Sequence, residues 1–401
     1  MTATPLTGLR VLDFGHTIMG PCAGLLLADL GAEVIKIEAV DGDATRRLPG
    51  FAAGFFATFN RNKRSLAVDL KRPEGREIVY RLAATADIVL ENFAPGTIER
   101  LGCGWDDLHK LNPGLIYLAM KGFLAGPYEH RTALDEVVQM QTGLAYMTGP
   151  PGQPLRAGAS VVDIMGATFG VVAVLAALRE RDRTGLGQRV GASLFESSAF
   201  LVGSHIAGAG VTGQPMPPMP ARRGAWGVYD VFDSTDGVQV FIGLTSDRHW
   251  QRFCEAFAFP DLFANPALAT NAQRCAERAW LIPDLRARLG AQSSAALLAT
   301  CEAATLPYAR VSRPDDLLAD PHLLASGGLL PTSLSTLGDG SNIVGLPAVP
   351  MEFGDNRARP GLHTQPPAIG ADTASLLRDA GYTDAAITAL HQAGIIALPT
   401  P

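Results

Sequence analysis

The chain has 401 residues, a formal net charge of −6, and only 18% charged residues. That acidic balance argues against nucleic acid as a partner, because its binders carry a basic face, and the length allows two domains. Cys22, Cys103, Cys254, Cys275 and Cys301 are scattered with no CxxC or His-paired spacing. This excludes a disulfide framework or zinc site and implies free thiols in a reducing compartment, the cytoplasm.

The opening MTATPLTGLRVLDF lacks a basic segment followed by an apolar one, so no secretory signal is expected. LRVLDFG then reads as a strand ended by Gly15, GPCAGLLLADLGA as a helix stopping at Gly31, and EVIKIEAV as a second strand. ADIVLENF and PGLIYLAMKGF read as two further buried strands, with helical stretches such as PEGREIVYRLAATA between them. Alternation of this kind predicts parallel βαβ units and a Rossmann-like α/β domain. The run from Val161 to Leu178 is apolar or small except for Asp163. It is at the short limit for a membrane span, and a helix buried between protein layers is the expectation; no membrane partner is implied. GQPMPPMPARRG within residues 213–224 is a Pro-rich linker. VYDVFDSTDGVQVFIGL follows as a β-hairpin turning at Ser234 to Gly237, then helices run to about Ala303. The fold class is therefore α/β, with a discontinuous large domain (residues 1–212 and 312–401) and a smaller α+β domain (220–311). The helical tail TASLLRDAGYTDAAITALHQAG is expected to pack on the large domain.

A dinucleotide reading requires GxGxxG after the first strand, but the loop here is GHTIMGP, with glycines at 15 and 20 only. Asp163 has two compatible readings. Ser160-Val-Val-Asp163 forms a capping box ahead of an apolar helix, with the acid at the positive end. A carboxylate held there, ionised yet poorly solvated, also suits a nucleophile. His16 lies in the loop after the first strand, where α/β folds place ligand contacts. The basic stretch NRNKRSLAVDLKR (60–72) is either a solvated surface or a phosphate-holding cluster. No GxSxG elbow, HExxH, P-loop or Ser/Cys–His pattern is present, so standard hydrolase and metal chemistry have no support.

Nearly end to end, the chain resembles the class III CoA-transferases, the CaiB/BaiF family. The likeness rests on VLDFGHTIMGP (11–21), LLADLGAEVIKIE (26–38), NRNKRSLAVDLK (60–71), ADIVLENFAPGTIERLG (86–102) and GPYEHRTALDEVVQMQTGLAYMTG (126–149). The segment around Asp163 and TGLGQRV (184–190) complete the series in the family's order. The resemblance implies an interlocked homodimer, no permanently bound cofactor, a CoA thioester as substrate, and Asp163 as the single catalytic aspartate. It implies CoA contacts from His16, Lys71, Asn92 and Arg100, with Lys36 and Arg64 as further candidates.

The closest match in pattern is the branch acting on mesaconyl-CoA and related C4–C5 dicarboxylates. A dicarboxylate needs a cation for its far carboxylate, and Arg46, Arg47, Arg131, Arg222 and Arg223 are the candidates. Two departures narrow the chemistry. Thr17 and Ile18 follow His16 where the formyl-CoA transferases carry a Gln, and GLTSDRHW replaces their glycine tetrad, so oxalate is not the expected acid. The racemases of the family place a His directly before the aspartate that matches Asp135; here that residue is Leu134, which removes the second acid/base group. The expected activity is CoA transfer from succinyl-CoA to mesaconate, itaconate or citramalate. The alternatives are intramolecular C1–C4 transfer on mesaconyl-CoA, α-methylacyl-CoA racemisation, and acyl-CoA binding without catalysis.

Overall fold

The structure, a computed structural model, describes residues 4–221, 224–335 and 342–399. Two compact units are present, Met1–Pro220 with Pro321–Pro401, and Ala221–Asp320. The smaller unit closes later than residue 311 because the short 3-10 helix Pro314–Ala319 groups with it.

The large unit is built on six parallel strands: β1 (Arg10–Asp13), β2 (Glu33–Glu38), β3 (Lys63–Val68), β4 (Ile88–Glu91), β5 (Ile116–Lys121) and β6 (Arg189–Ser193). A short strand, Ile396–Ala397, pairs antiparallel with β3. The lateral order is Ile396–Ala397, β3, β2, β1, β4, β5, β6. Parallel strands covered on both faces need apolar residues on both sides, and alternate residues supply them. Val11, Val34, Leu90 and Leu118 pack into one layer. Leu12, Ile35, Val89 and Tyr117 pack into the other. The first layer holds the helices Met19–Asp29 and Val161–Thr184. The second holds Pro73–Ala83 and the tail, which forms two helices, Thr373–Asp379 and Asp384–Gln392, separated at Gly381 with φ +85°.

Two expectations change. The basic stretch 60–72 is not a solvated surface throughout, because its middle is strand β3, and only its end, with Lys71 and Arg72, is exposed. Lys63 and Arg61 are buried there, tied to Asp13 at 2.7 Å and Asp29 at 2.8 Å. The helix Val161–Thr184 is not covered on both sides within this chain. Val162, Gly166, Gly170, Val171 and Val174 face the sheet layer, whereas Ile164, Val172 and Leu175 are exposed. By length and composition it is the one helix among the described residues able to cross a bilayer. It ends at Gly185, left-handed at φ 75°, after Arg181 and Arg183 in its last turn.

The smaller unit is an antiparallel sheet of β7 (Val228–Asp233), β8 (Gln239–Leu244) and β9 (Tyr308–Arg310) with helices against it. Phe232, Ile242, Trp250, Phe253 and Leu285 form its core.

Candidate active site

In the lateral order, β2 and β3 lie on one side of β1 and β4 to β6 on the other. Loops leaving the carboxyl ends of β1 and β4 therefore diverge and open a crevice, the usual ligand position in such sheets. A cavity of about 210 Å³ lies there, lined by residues of the loop after β1, the loop after β4, the end of β5 and the first turn of the Val161–Thr184 helix. Among its walls are His16, Asn92, Phe93, Lys121, Arg131 and Asp163.

The floor is held by buried ions. Lys63 Nζ donates to Asp13 Oδ2 at 2.7 Å and to the Pro21 carbonyl at 2.9 Å. Asp13 Oδ1 accepts the Gly15 N–H at 2.7 Å, and Lys36 Nζ donates to the Gly15 carbonyl at 2.8 Å while pairing with Asp43 at 2.7 Å. The two glycines of GHTIMGP allow the loop to fold on itself. A Cβ at Gly15 would lie 2.6 Å from the Gly20 carbonyl carbon, and one at Gly20 would lie 2.5 Å from the Gly15 Cα. Thr17, between them, is left-handed at φ 65°, a strained conformation that the bracing on either side sustains.

Above this floor Asn92 uses both ends of its amide on His16: Oδ1 accepts the His16 N–H at 2.8 Å and Nδ2 donates to the His16 carbonyl at 2.9 Å. The imidazole stacks on Phe93 with centroids 5.0 Å apart, and its buried Nδ1 has no partner among the described residues. Burial lowers its pKa, with Lys36 and Lys121 adding to the effect against Asp43, so the ring is neutral at pH 7. Lys121 at the end of β5 is tied to Glu91 at the end of β4 (2.7 Å) and to the Phe93 carbonyl (2.9 Å). Burial raises the Glu91 pKa despite that partner.

Asp163 stands in the first turn of its helix, where the peptide dipoles favour a negative charge. The expected capping box does not form, because Ser160 makes no side-chain cap bond. The cap comes from the helix Asp135–Gln141. Asp135 Oδ2 accepts the backbone N–H of Val162 at 2.9 Å and of Asp163 at 3.1 Å. Asp135 is held by Gln139 Nε2, and Gln139 Oε1 accepts the Ala157 N–H at 2.9 Å. With that cap occupied, the Asp163 carboxylate makes no hydrogen bond among the described residues and is left to the cleft. Burial first, and then the Asp135 charge, push its pKa up to about 7, against a smaller opposing effect of Arg156. A carboxylate so placed is poorly solvated and close to neutral pH in its titration, conditions under which the ionised form is a better nucleophile than in water.

The sequence candidates thus separate. His16, Asn92, Arg131 and Asp163 come together in one cleft. Lys36 lies beneath it, buried and bonded to the Gly15 carbonyl and Asp43, which makes it a brace for the loop. Arg64 is near the amino end of β3, on the opposite edge of the sheet, bonded to Glu33 and Ser375. Lys71 and Arg100 are exposed beyond the carboxyl ends of β3 and β4, and Arg100 donates to Thr97 Oγ1 at 2.9 Å. Arg46 is buried with two bonds to Glu38 and one to the Pro367 carbonyl, which removes it as a substrate anchor. Arg47 is exposed and held by Asp41. Arg222 and Arg223 lie outside the described residues. Lys121, Glu91 and Asp135 were missed as site residues. The signal for Glu91 and Lys121 is a charged residue closing an otherwise apolar strand in LENF and AMKGF, on neighbouring strands with opposite signs.

The family model described as CoA-transferase family III matches residues 6–373. An acyl-CoA transferase of Fusarium pseudograminearum is 35% identical over 98% of this chain and 88% of its own length. A succinyl-CoA:glutarate CoA-transferase of Mus musculus is 33% identical over 98% and 90% of the two chains. A succinyl-CoA–D-citramalate CoA-transferase of Chloroflexus aurantiacus is 34% identical over 84% and 85%. Among solved structures, a CAIB/BAIF family protein from Brucella suis superposes with a TM-score of 0.83 at 30% identity, covering 94% of this chain and all of that one.

Proposed function

The chain belongs to CoA-transferase family III and is a CoA-transferase, and from that premise we propose that it moves CoA from succinyl-CoA to a C4–C5 dicarboxylic acid through Asp163. The observation that carries the reading is the unbonded Asp163 carboxylate in a small cleft at the carboxyl edge of β1 and β4. Mesaconate, itaconate and citramalate are the acceptors proposed from the sequence. Glutarate, named in the mouse relative, has the same number of carbons and the same charge, with one more carbon between its carboxylates.

In the proposed reaction, Asp163 attacks the thioester carbonyl of the donor. The C–S bond breaks, CoA leaves as thiolate, and a mixed anhydride remains on Asp163. The thiolate then attacks the aspartyl carbonyl, releasing the donor acid and leaving an aspartyl-CoA thioester. The acceptor carboxylate attacks that thioester and re-forms an anhydride with free thiolate. The thiolate finally takes the acceptor acyl group and regenerates Asp163. Each step exchanges one activated acyl group for another, so no external energy source is needed. The tetrahedral oxyanions require donors that are already in place; the helix start is spent on Asp135, and Gly15 and His16 on Asp13 and Asn92, so the proposed source is the N–H groups of the loop after β1 beyond His16. Apolar walls from Met19, Phe93, Met120 and Leu194 reduce water access to the anhydride. Lys71 and Arg100, both exposed beyond the strand ends, are the proposed contacts for the CoA phosphates. Neutral His16, clamped by Asn92, lines the thioester end.

A homodimer is part of the proposal. Val172 and Leu175 on the Asp163 helix are exposed apolar residues, and Phe200 at 71% and Val211 at 88% continue the pattern on the next two helices. Apolar surface of this extent marks an interface, and a second copy is the proposed cover. The cysteines stay unpaired, in keeping with a proposed cytoplasmic setting.

The test is a competition assay. Succinyl-CoA is mixed with equimolar mesaconate, itaconate, citramalate, glutarate, oxalate and monocarboxylates, and new acyl-CoA species are identified by mass. One or two dicarboxyl-CoA products, absent with Asp163→Ala, support the proposal. Products from monocarboxylates alone, or turnover surviving in Asp163→Ala, would sink it.

A further inference from the structure

We infer that Arg131 is the residue that reads the far carboxylate of the substrate and so sets the preference for dicarboxylic over monocarboxylic acids. The inference rests on the transferase reading above and assigns its specificity to one side chain.

Charge balance in the cleft gives the first reason. Its ionisable lining comprises His16, Lys121, Arg131, Asp135 and Asp163. His16 is neutral at pH 7, and Lys121 is already matched by Glu91 at 2.7 Å. Two acids therefore face a single unmatched cation, Arg131. The far carboxylate of succinyl-CoA beside ionised Asp163, and the dianionic acceptor beside Asp135 once Asp163 carries CoA, would meet like charge unless the far carboxylate reached that cation.

The second reason is that the Arg131 fork is unused. Its guanidinium carbon lies 3.8 Å from the centroid of the Tyr128 ring. It makes no side-chain hydrogen bond or ion pair among the described residues. The acid nearest in sequence, Glu129, pairs instead with His130 at 3.2 Å. Stacking on a ring occupies the face of a guanidinium and leaves its in-plane N–H donors outward, the geometry that accepts a carboxylate through two bonds. The other described arginines named as substrate anchors do not line this cleft: Arg46 is buried on Glu38, and Arg47 is an exposed residue beside Asp41.

The third reason is that the stack is anchored. Tyr128 packs edge-on against Phe123 at 5.7 Å and Phe195 at 6.4 Å, and Phe195 follows the cleft residue Leu194. The Arg131 N–H donates to the Tyr128 carbonyl at 2.8 Å, closing the turn that carries both side chains. An arginine held this way loses little conformational freedom when it binds, which an unanchored surface arginine would.

The experiment compares wild type, Arg131→Gln and Arg131→Lys as full-length enzymes, with succinyl-CoA as donor. Acceptors are a C5 dicarboxylate and the monocarboxylate of equal chain length. In this double-displacement scheme kcat/KM for the acceptor reports the second half-reaction alone. Arg131→Gln is expected to lower kcat/KM for the dicarboxylate about 10- to 100-fold through KM, as loss of hydrogen bonds to a charged group does. The monocarboxylate value should change little, and Arg131→Lys should recover part of the loss because it restores charge without the fork. An equal loss for both acids, or no loss for the dicarboxylate, overturns the assignment while leaving the transferase reading intact. A wild type that uses no dicarboxylate overturns both.

Discussion

Asp135 Oδ2 accepts the backbone N–H of Asp163 at 3.1 Å, so the helix carrying the free carboxylate is capped by a second acid from another helix. The arrangement does two things at once. It satisfies orphan donors at the helix start without using the Asp163 side chain, and it sets a like charge beside it.

A pH dependence follows from that proximity. As the proposed nucleophile Asp163 acts in its ionised form, and burial with the Asp135 charge places its pKa at about 7. kcat/KM should therefore rise with pH through about 7 and level off above it. In Asp135→Asn one oxygen remains to accept the Val162 and Asp163 N–H groups, but the charge is gone, so the acid limb should move to lower pH. A pH–rate profile of both proteins checks this; an unmoved limb means the Asp135 charge is not felt.

The same raised pKa makes Asp163 a liability for stability. A carboxyl with a folded pKa above its unfolded value of 3.8 weakens the fold as pH climbs from that value through about 7. Asp163→Asn should then raise Tm by roughly a few degrees above neutral pH while abolishing transfer. Differential scanning at acidic and alkaline pH reads both the sign and its pH dependence.

Lys36 and Asp43 form a buried pair of the opposite kind. Burial raises the Asp43 pKa, but Lys36 and the Thr45 hydroxyl and N–H outweigh it and hold the group at about 2. Its contribution is present above the unfolded pKa of 3.8 and is lost as pH falls through about 2. Lys36→Met strands a buried carboxylate and should cost about 3–5 kcal/mol. Urea unfolding at neutral pH measures the loss, and the gap from wild type should narrow in acid.

The loop after β1 tolerates no side chain at its glycines. Gly20→Ala places a Cβ 2.5 Å from the Gly15 backbone and 2.6 Å from Asn92 Oδ1. Since these are backbone and a clamped amide, the loop must shift and His16 with it. The variant should keep a far-UV spectrum like wild type and lose about 100-fold in kcat/KM, the effect of a displaced reacting geometry.

Phe200→Glu tests the proposed assembly. It puts a charge into the apolar face formed with Phe169, whose ring lies 5.3 Å away. The expected outcome is a shift from dimer to monomer in light scattering, with transfer activity falling in parallel. A dimer unaffected by this change would place the interface elsewhere.

Much of this protein could be read from local pattern. Each predicted strand of the opening became part of the parallel sheet, and the apolar run from Val161 to Leu178 became one long helix. Periodicity and turn chemistry act over a few residues, so a linear reading captures them. The motif series around His16, Asn92 and Asp163 likewise named residues that share one cleft.

What the linear reading could not decide was which polar residues face each other. Lys63 looked like surface until β3 was seen between β2 and the C-terminal strand, opposite Asp13. Ser160 looked like the helix cap until Asp135 arrived from another helix. Five arginines looked equivalent until packing gave Arg46 to Glu38 and left Arg131 on a tyrosine ring. A charge buried in a fold is stable only with its partner, and partners are chosen by the strand order and helix docking that bring distant positions together. Composition and pattern determined the layers of this molecule; tertiary structure alone decided which acid in the cleft kept its carboxylate unbonded and which cation kept its donors.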